Sequence, residues 1–160
     1  MRRCPHLEFA LEKAPGNVRV KGDYLLCLVW TGCYKQAADF YHRHERDLKN
    51  VRYVGRDAAK AFYEIGDYDR ARRLYEQSLL REPSDGEALK GLVYSLCSLG
   101  DFPGAHQAIG ERARAGSFPP QYLLTLKLHA YQQEGNHKHA YLLSMQLLLT
   151  EQDESRPSRS

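Results

Sequence analysis

The chain has 160 residues, of which 42% are hydrophobic and 27% charged, so it can bury a core and its composition is not that of a disordered chain. A formal net charge of +3 is too weak to mark a nucleic-acid binder, which would carry a concentrated basic face. One entry of the composition is unusual: 11 Tyr against 5 Phe and a single Trp.

In chain order, residues 1–16 predict a partial N-terminal helix at about 5–13, closed by Ala14-Pro15-Gly16-Asn17. Met1-Arg2-Arg3 has the positive start of a signal peptide, but Glu8, Glu12 and Lys13 interrupt any apolar stretch. The longest apolar run, Tyr24 to Trp30, falls far short of the roughly 20 residues needed to cross a bilayer, so no membrane span is expected. Helices are predicted at 18–31, 34–48, 52–65, 68–81, 86–99, 102–114, 120–134 and 137–150. Residues 151–160 are polar and aperiodic and read as a disordered tail.

These elements follow from an internal repeat. Gly32-Cys33-Tyr34-Lys35-Gln36-Ala37, Gly66-Asp67-Tyr68-Asp69-Arg70-Ala71, Gly100-Asp101-Phe102-Pro103-Gly104-Ala105 and Gly135-Asn136-His137-Lys138-His139-Ala140 align. The glycines are 34, 34 and 35 residues apart (66 − 32, 100 − 66, 135 − 100). Glycine takes the left-handed conformation that ends one helix. Asp67, Asp101 and Asn136 follow as N-caps of the next. A ring in its first turn and Ala three residues later share a face, and the small Ala lets two helices approach closely. Pro83 closes one helix, and Ser84 or Asp85 can cap the next.

The remaining chemistry is sparse. Cys4, Cys27, Cys33 and Cys97 form no CxxC and are expected to be small buried hydrophobes, without a disulfide framework. Tyr41-His42-Arg43-His44 and His137-Lys138-His139 place their histidines about 200° apart on a helix, so neither pair closes on one ion. No phosphate-loop, dinucleotide, zincin or nucleophile-elbow motif occurs. No enzyme activity, metal or cofactor is expected. Asp69 with Arg72 and Arg73 reads as a helix-surface pairing.

A 34-residue helical hairpin resembles the tetratricopeptide repeat, over residues 17–150. In that pattern Gly32, Gly66, Gly100 and Gly135 make the turn, and Ala37, Ala71, Ala105 and Ala140 the small packing position. Tyr41 and Tyr75 are its aromatic position and Pro83 the terminal proline. The small residue expected in each first helix is Leu25, Ala59, Val93 and Leu128, so only Ala59 conforms. The resemblance implies an all-α superhelical solenoid of antiparallel helix pairs, about four repeats plus the partial N-terminal helix. It also implies that first helices line a concave binding face, here Arg19, Tyr53, Arg56, Lys60, Tyr63, Glu87, Lys90, Tyr94, Tyr122, His129 and Gln132. Tyrosines between cations could take peptide carboxylates, other anions or stacked sugar rings; a solvated face of half-buried tyrosines is the alternative. A carboxylate clamp for chaperone tails is disfavoured, because Lys60 and Lys90 are followed four residues on by Glu64 and Tyr94 rather than Asn.

A narrower resemblance rests on Asp23-Tyr24-Leu25, Trp30-Thr31-Gly32, Lys35-Gln36-Ala37, Ala58-Ala59-Lys60-Ala61-Phe62 and Leu74-Tyr75-Glu76-Gln77-Ser78-Leu79. The chain looks like the N-terminal periplasmic repeat region of the poly-β-1,6-N-acetylglucosamine export porins of biofilm formers. That implies a non-catalytic scaffold in exopolysaccharide export, with the polymer or a polysaccharide deacetylase as partner, in the periplasm or at the outer membrane. The alternative is a cytoplasmic adaptor that binds a peptide or helix of another protein. On either reading Tyr34, Tyr41, Tyr68 and Tyr75 belong to packing, and Tyr53, Tyr63, Tyr94 and Tyr122 to the projected face.

Overall fold

The protein is described from a computed structural model over residues 4–155, and the described residues hold ten helices and no strand. They are α1 (Pro5–Lys13), α2 (Val18–Trp30), α3 (Tyr34–Arg43), α4 (Glu45–Leu48), α5 (Gly55–Glu64), α6 (Tyr68–Arg81), α7 (Gly86–Ser98), α8 (Phe102–Ala115), α9 (Pro120–Glu134) and α10 (His137–Ser155). The fold class is all-α, as the repeat implies.

Each turn within a repeat is built the same way. Gly32, Gly66, Gly100 and Gly135 have φ between 79° and 88°, the left-handed region that favours glycine. At the first, Gly32 N–H donates to the Val29 carbonyl and Cys33 N–H to the Leu28 carbonyl. Gly66 and Asp67, Gly100 and Asp101, and Gly135 and Asn136 repeat both bonds. This is a Schellman closure, which satisfies carbonyls that a helix end would leave bare. The carboxylates and amide then cap the following helix: Asp67 accepts from Arg70 N–H at 3.3 Å, Asp101 from Gly104 N–H at 3.0 Å and Asn136 from His139 N–H at 3.4 Å. Asp85 caps α7 through Ala88 N–H at 3.2 Å.

The chain divides into two compact units, residues 1–95 and 96–160. In the first, α5 and α6 pack as a hairpin, α5 also packs on α3 and α2, and α1 lies on α2. Its core holds Leu25, Ala37, Leu48, Val54, Ala58, Ala59, Phe62, Ala71, Tyr75, Leu79, Leu89 and Val93. The fully buried alanines let helix backbones come close. Leu25 and Val93 are as fully buried as Ala59, so a larger side chain is accommodated at that position. In the second unit α9 packs against α8 and α10, around Ala105, Ile109, Leu123, Leu126, Ala130 and Ala140.

Four features differ from the sequence expectation. The helix predicted at 34–48 breaks at His44 (φ −113°, ψ 22°) into α3 and the single turn α4. The break lets Leu48 into the core while Asp47 reaches Lys21 on α2. The helix predicted from 52 begins only at Gly55, after a turn that buries Val54. At the other end, α10 runs on to Ser155 rather than stopping at 150, and residues 156–160 of the predicted tail lie outside the described residues. Finally, Cys4 and Cys27 form a disulfide with Cα atoms 6.4 Å apart. Docking α1 on α2 brings the N-cap of α1 beside the last turns of α2, a proximity that 23 residues of sequence separation conceal. Cys97 is buried with a free thiol, pushed up to about 11 by burial and then by Glu134, and Cys33 is half-buried and free.

The Lys21–Asp47 pair carries a pH prediction. Lys21 is 6% exposed and its ammonium sits 2.6 Å from Asp47 Oδ2. The hydrogen bond from Lys21, then its charge, hold the Asp47 carboxyl below its ordinary 3.8. A carboxyl lowered in the fold stabilises above its unfolded pKa, and the stabilisation is lost as pH falls through the folded value. Thermal unfolding at pH 7 should show Asp47→Asn less stable than wild type, and the two should converge as pH falls through the lowered pKa of Asp47. Parallel curves across that range would exclude this pair as a contributor.

Candidate functional site

In the first unit, the projected first-helix residues are held by neighbours. Tyr53, 45% exposed, rests its hydroxyl end against Gly22 and donates to the Arg19 carbonyl at 3.4 Å. Arg56 spans to Asp85 with both carboxylate oxygens at 3.2 and 3.3 Å. Asp57 follows it on α5, its carboxyl pushed up by burial against the pull of Arg56 and Lys60. Lys60 is exposed. Tyr63 meets Tyr68 edge-on at 5.2 Å, and the Lys90 ammonium lies over the Tyr94 ring at 5.5 Å. A cleft of about 210 Å³ is lined by Arg52, Tyr53, Arg56, Ser78, Arg81, Glu82 and Asp85. The cations here alternate with carboxylates, so this surface presents rings and stems more than net positive charge.

Net positive charge gathers elsewhere in the same unit. A cavity of about 510 Å³ opens beside α3, α4 and α6, lined by Tyr41, His42, Glu45, Lys49, Asn50, Phe62, Arg70, Arg73, Leu74, Gln77 and Arg81. It has four cations and His42 against the single carboxylate of Glu45. Arg70 lies over the Phe62 ring at 5.6 Å, with Nη1 3.3 Å from His42 Nδ1. Arg73 pairs with Asp69 at 2.7 Å and Arg70 with Asp67 at 3.5 Å, both pairs open to solvent. Arg81 donates to the Lys49 carbonyl at 2.5 Å, which fixes the guanidinium at the rim. Such planar forks accept carboxylates in pairs of hydrogen bonds, while Tyr41, Phe62 and Leu74 supply an apolar floor.

The sequence reading looked to first helices and missed this cavity. Its signal was present: Arg70, Arg73, Gln77 and Arg81 are spaced three, four and four, one stripe along α6. Both expected Asp69 pairings form, with Arg72 beside that stripe at 2.9 Å and with Arg73 on it at 2.7 Å.

In the second unit, Tyr122 stacks on Phe118 at 5.8 Å and His129 is half-buried on α9. His106, Tyr131 and His139 form a ladder of rings at 4.3 and 4.9 Å. His106 Nε2 is 3.4 Å from Glu134, while its buried Nδ1 has no hydrogen-bond partner among the described residues. Among the described residues there is no group of three metal-ligating side chains and no helix long and apolar enough to cross a membrane.

The tetratricopeptide-repeat family profile matches residues 56–120. Among solved structures, the chain is similar to MamA MSR-1 (TM-score 0.76, 19% identity, 93% of this chain and 85% of that one). It is also similar to a tetratricopeptide repeat protein from Parabacteroides merdae ATCC 43184 (TM-score 0.74, 16% identity, 93% of this chain and 59% of that one). MamA AMB-1 superposes comparably (TM-score 0.73, 20% identity, 94% of this chain and 81% of that one). No curated protein matches the sequence. Glycine turns, capped helix pairs and these superpositions agree: the chain has the tetratricopeptide-repeat fold, and residues 56–120 match that family's profile.

Proposed function

We propose that this chain is a non-catalytic interaction scaffold whose first unit takes an acidic peptide segment of a partner protein in the cavity beside α3, α4 and α6. The observation that carries the reading is the lining: Lys49, Arg70, Arg73 and Arg81 face one carboxylate, above an apolar floor. Exchange of the solvent-exposed Asp69 and Asp67 for a ligand's carboxylates is inexpensive, because exposed ion pairs are worth little on their own. The volume, about 510 Å³, suits a few side chains rather than a folded domain.

The test is a fluorescence-anisotropy titration of the full chain with a labelled oligoglutamate peptide, with oligolysine as control. Binding should weaken steeply with salt. Arg73→Glu should weaken it about tenfold or more, as two to three charge-assisted contacts are lost and repulsion is added. Affinity unchanged by Arg73→Glu and by Lys49→Glu would sink the site. Competition by inorganic phosphate at equal ionic strength would reassign it to phosphate-bearing ligands.

A second reading, that the chain serves exopolysaccharide export, is favoured by the rings at Tyr53, Tyr63 and Tyr94 and the Lys90 ammonium over Tyr94. On that reading poly-N-acetylglucosamine stacks on the first-helix tyrosines with Arg56 and Lys60 beside it, or a polysaccharide deacetylase docks there, in the periplasm. Within the second unit, Tyr122 and His129 are the candidate contacts on that reading. Cationic deacetylated stretches would be repelled by Lys60 and Lys90. Tyrosine fluorescence during titration with acetylated and deacetylated glucosamine oligomers decides it: no response to either at millimolar sugar removes direct polymer binding.

A further inference from the structure

Helix α10 is apolar on two opposite sides. Ala140, Leu143 and Leu147 face inward or are half-buried, as a helix packed on α9 requires. On the other side Tyr141, Leu142, Met145, Leu148 and Leu149 form a second stripe, each between 43% and 65% exposed. At 100° per residue these five fall within a sector of about 120° centred on Met145. A helix apolar all round is ordinarily buried all round. Isolated exposed leucines need no account, but a continuous stripe of five large side chains does.

Polar groups of opposite character flank the two ends of this stripe: Lys138 with His137 where the helix opens, and Asp153 with Glu151 near its close. We propose that the occupant of this stripe is a second copy of the chain, with the two α10 helices antiparallel about a two-fold axis at Met145. In that arrangement Met145 meets Met145, Tyr141 meets Leu148 and Leu142 meets Leu149. Lys138 comes beside Asp153 of the second copy, and His137 beside its Glu151, at both ends. Antiparallel pairing brings like edges of the two helices together, and Lys138 and Asp153 lie on one edge of the stripe while His137 and Glu151 lie on the other. Parallel pairing would set acid against acid and base against base, so the charge pattern selects the direction. The contact is self-complementary, as a two-fold interface must be. It spans roughly 22 Å of helix, from Lys138 to Asp153, and forms a reversible dimer rather than an obligate one.

Sedimentation velocity of the full chain over a wide concentration range tests this. The wild type should pass from monomer to dimer as concentration rises. Met145→Lys, which sets two like charges across the axis, should remain monomeric with unchanged far-ultraviolet circular dichroism. Lys138→Glu and Asp153→Lys should each weaken association several-fold, and the double variant Lys138→Glu/Asp153→Lys should restore it. A wild type that stays monomeric throughout overturns the proposal and leaves the stripe to a different protein. So does a Met145→Lys chain that dimerises as the wild type does. Loss of association in both single variants without rescue in the double overturns the antiparallel register.

Discussion

Gly91→Val should lower the unfolding free energy by about 2–3 kcal/mol, the range expected for an overpacked core. In most helix interiors the opposite sign is expected, since glycine there is worse than alanine by up to about 1 kcal/mol. Packing decides the sign here. Gly91 lies in α7 against the ring of Tyr75, from α6, so that a Cβ would come within 2.2–2.5 Å of three atoms of that ring. Tyr75 is 6% exposed and cannot swing into solvent without leaving a void. Burial, more than the nearby Asp57 and Glu64 carboxylates, pushes its phenol far above the usual range, which fits a ring enclosed on all sides. Gly91→Ala is the sharper version, with about 1 kcal/mol of propensity gained and more lost to the clash. Urea unfolding should show the midpoint fall with the slope unchanged. A rise in the midpoint would mean that Tyr75 has room to move. Tyr75→Leu should then relieve part of the penalty, and the double variant should be less destabilised than the sum of the single changes.

Cys4→Ser should free α1 from α2. Closing a loop of 23 residues stabilises by about 3 kcal/mol in the chain-entropy account, about a hundredfold in the opening equilibrium of α1. Packing holds α1 only weakly, because no residue within it is buried and Phe9 is exposed, covered by its own Lys13 at 5.4 Å. Hydrogen exchange read by mass spectrometry should lose protection over residues 5–13 in the variant, and in the wild type on reduction, with little change in α5 and α6. Protection unchanged by either would mean that α1 is held by its contacts on α2. Alkylation of the denatured, unreduced chain should label two of the four cysteines, Cys33 and Cys97.

What could be read from the sequence divides by distance along the chain. The turns were legible because their chemistry closes within nine residues: a left-handed glycine, two backbone bonds and a following cap. The small-residue position was legible in role, although Leu25 and Val93 fill it as fully as Ala59 does. The break at His44 was not legible, since it answers to Lys21 and to the space for Leu48, neither adjacent in sequence. The disulfide depended on where α1 docks. On the projected face the positions could be read but not the partners: nothing in the spacing of Arg56 and Lys60 announces that Asp85 takes up Arg56. The cationic cavity required knowing that α6 faces the end of α3 and α4, so that Arg70, Arg73 and Arg81 join Lys49 from a different helix.

The turn that recurs at Gly32, Gly66, Gly100 and Gly135 is self-contained, drawing its hydrogen bonds from its own six residues. Whatever is joined on either side, the turn still closes. Duplication or loss of a stretch running from one glycine to the next restores a complete hairpin junction. Length changes in whole repeats are therefore absorbed without rewriting any turn, whereas a change of any other length turns the helix faces out of register with their neighbours. The period is thus a unit of inheritance as well as of packing, and the functional side chains, carried on helix faces between the turns, can diverge repeat by repeat while the junctions stay interchangeable.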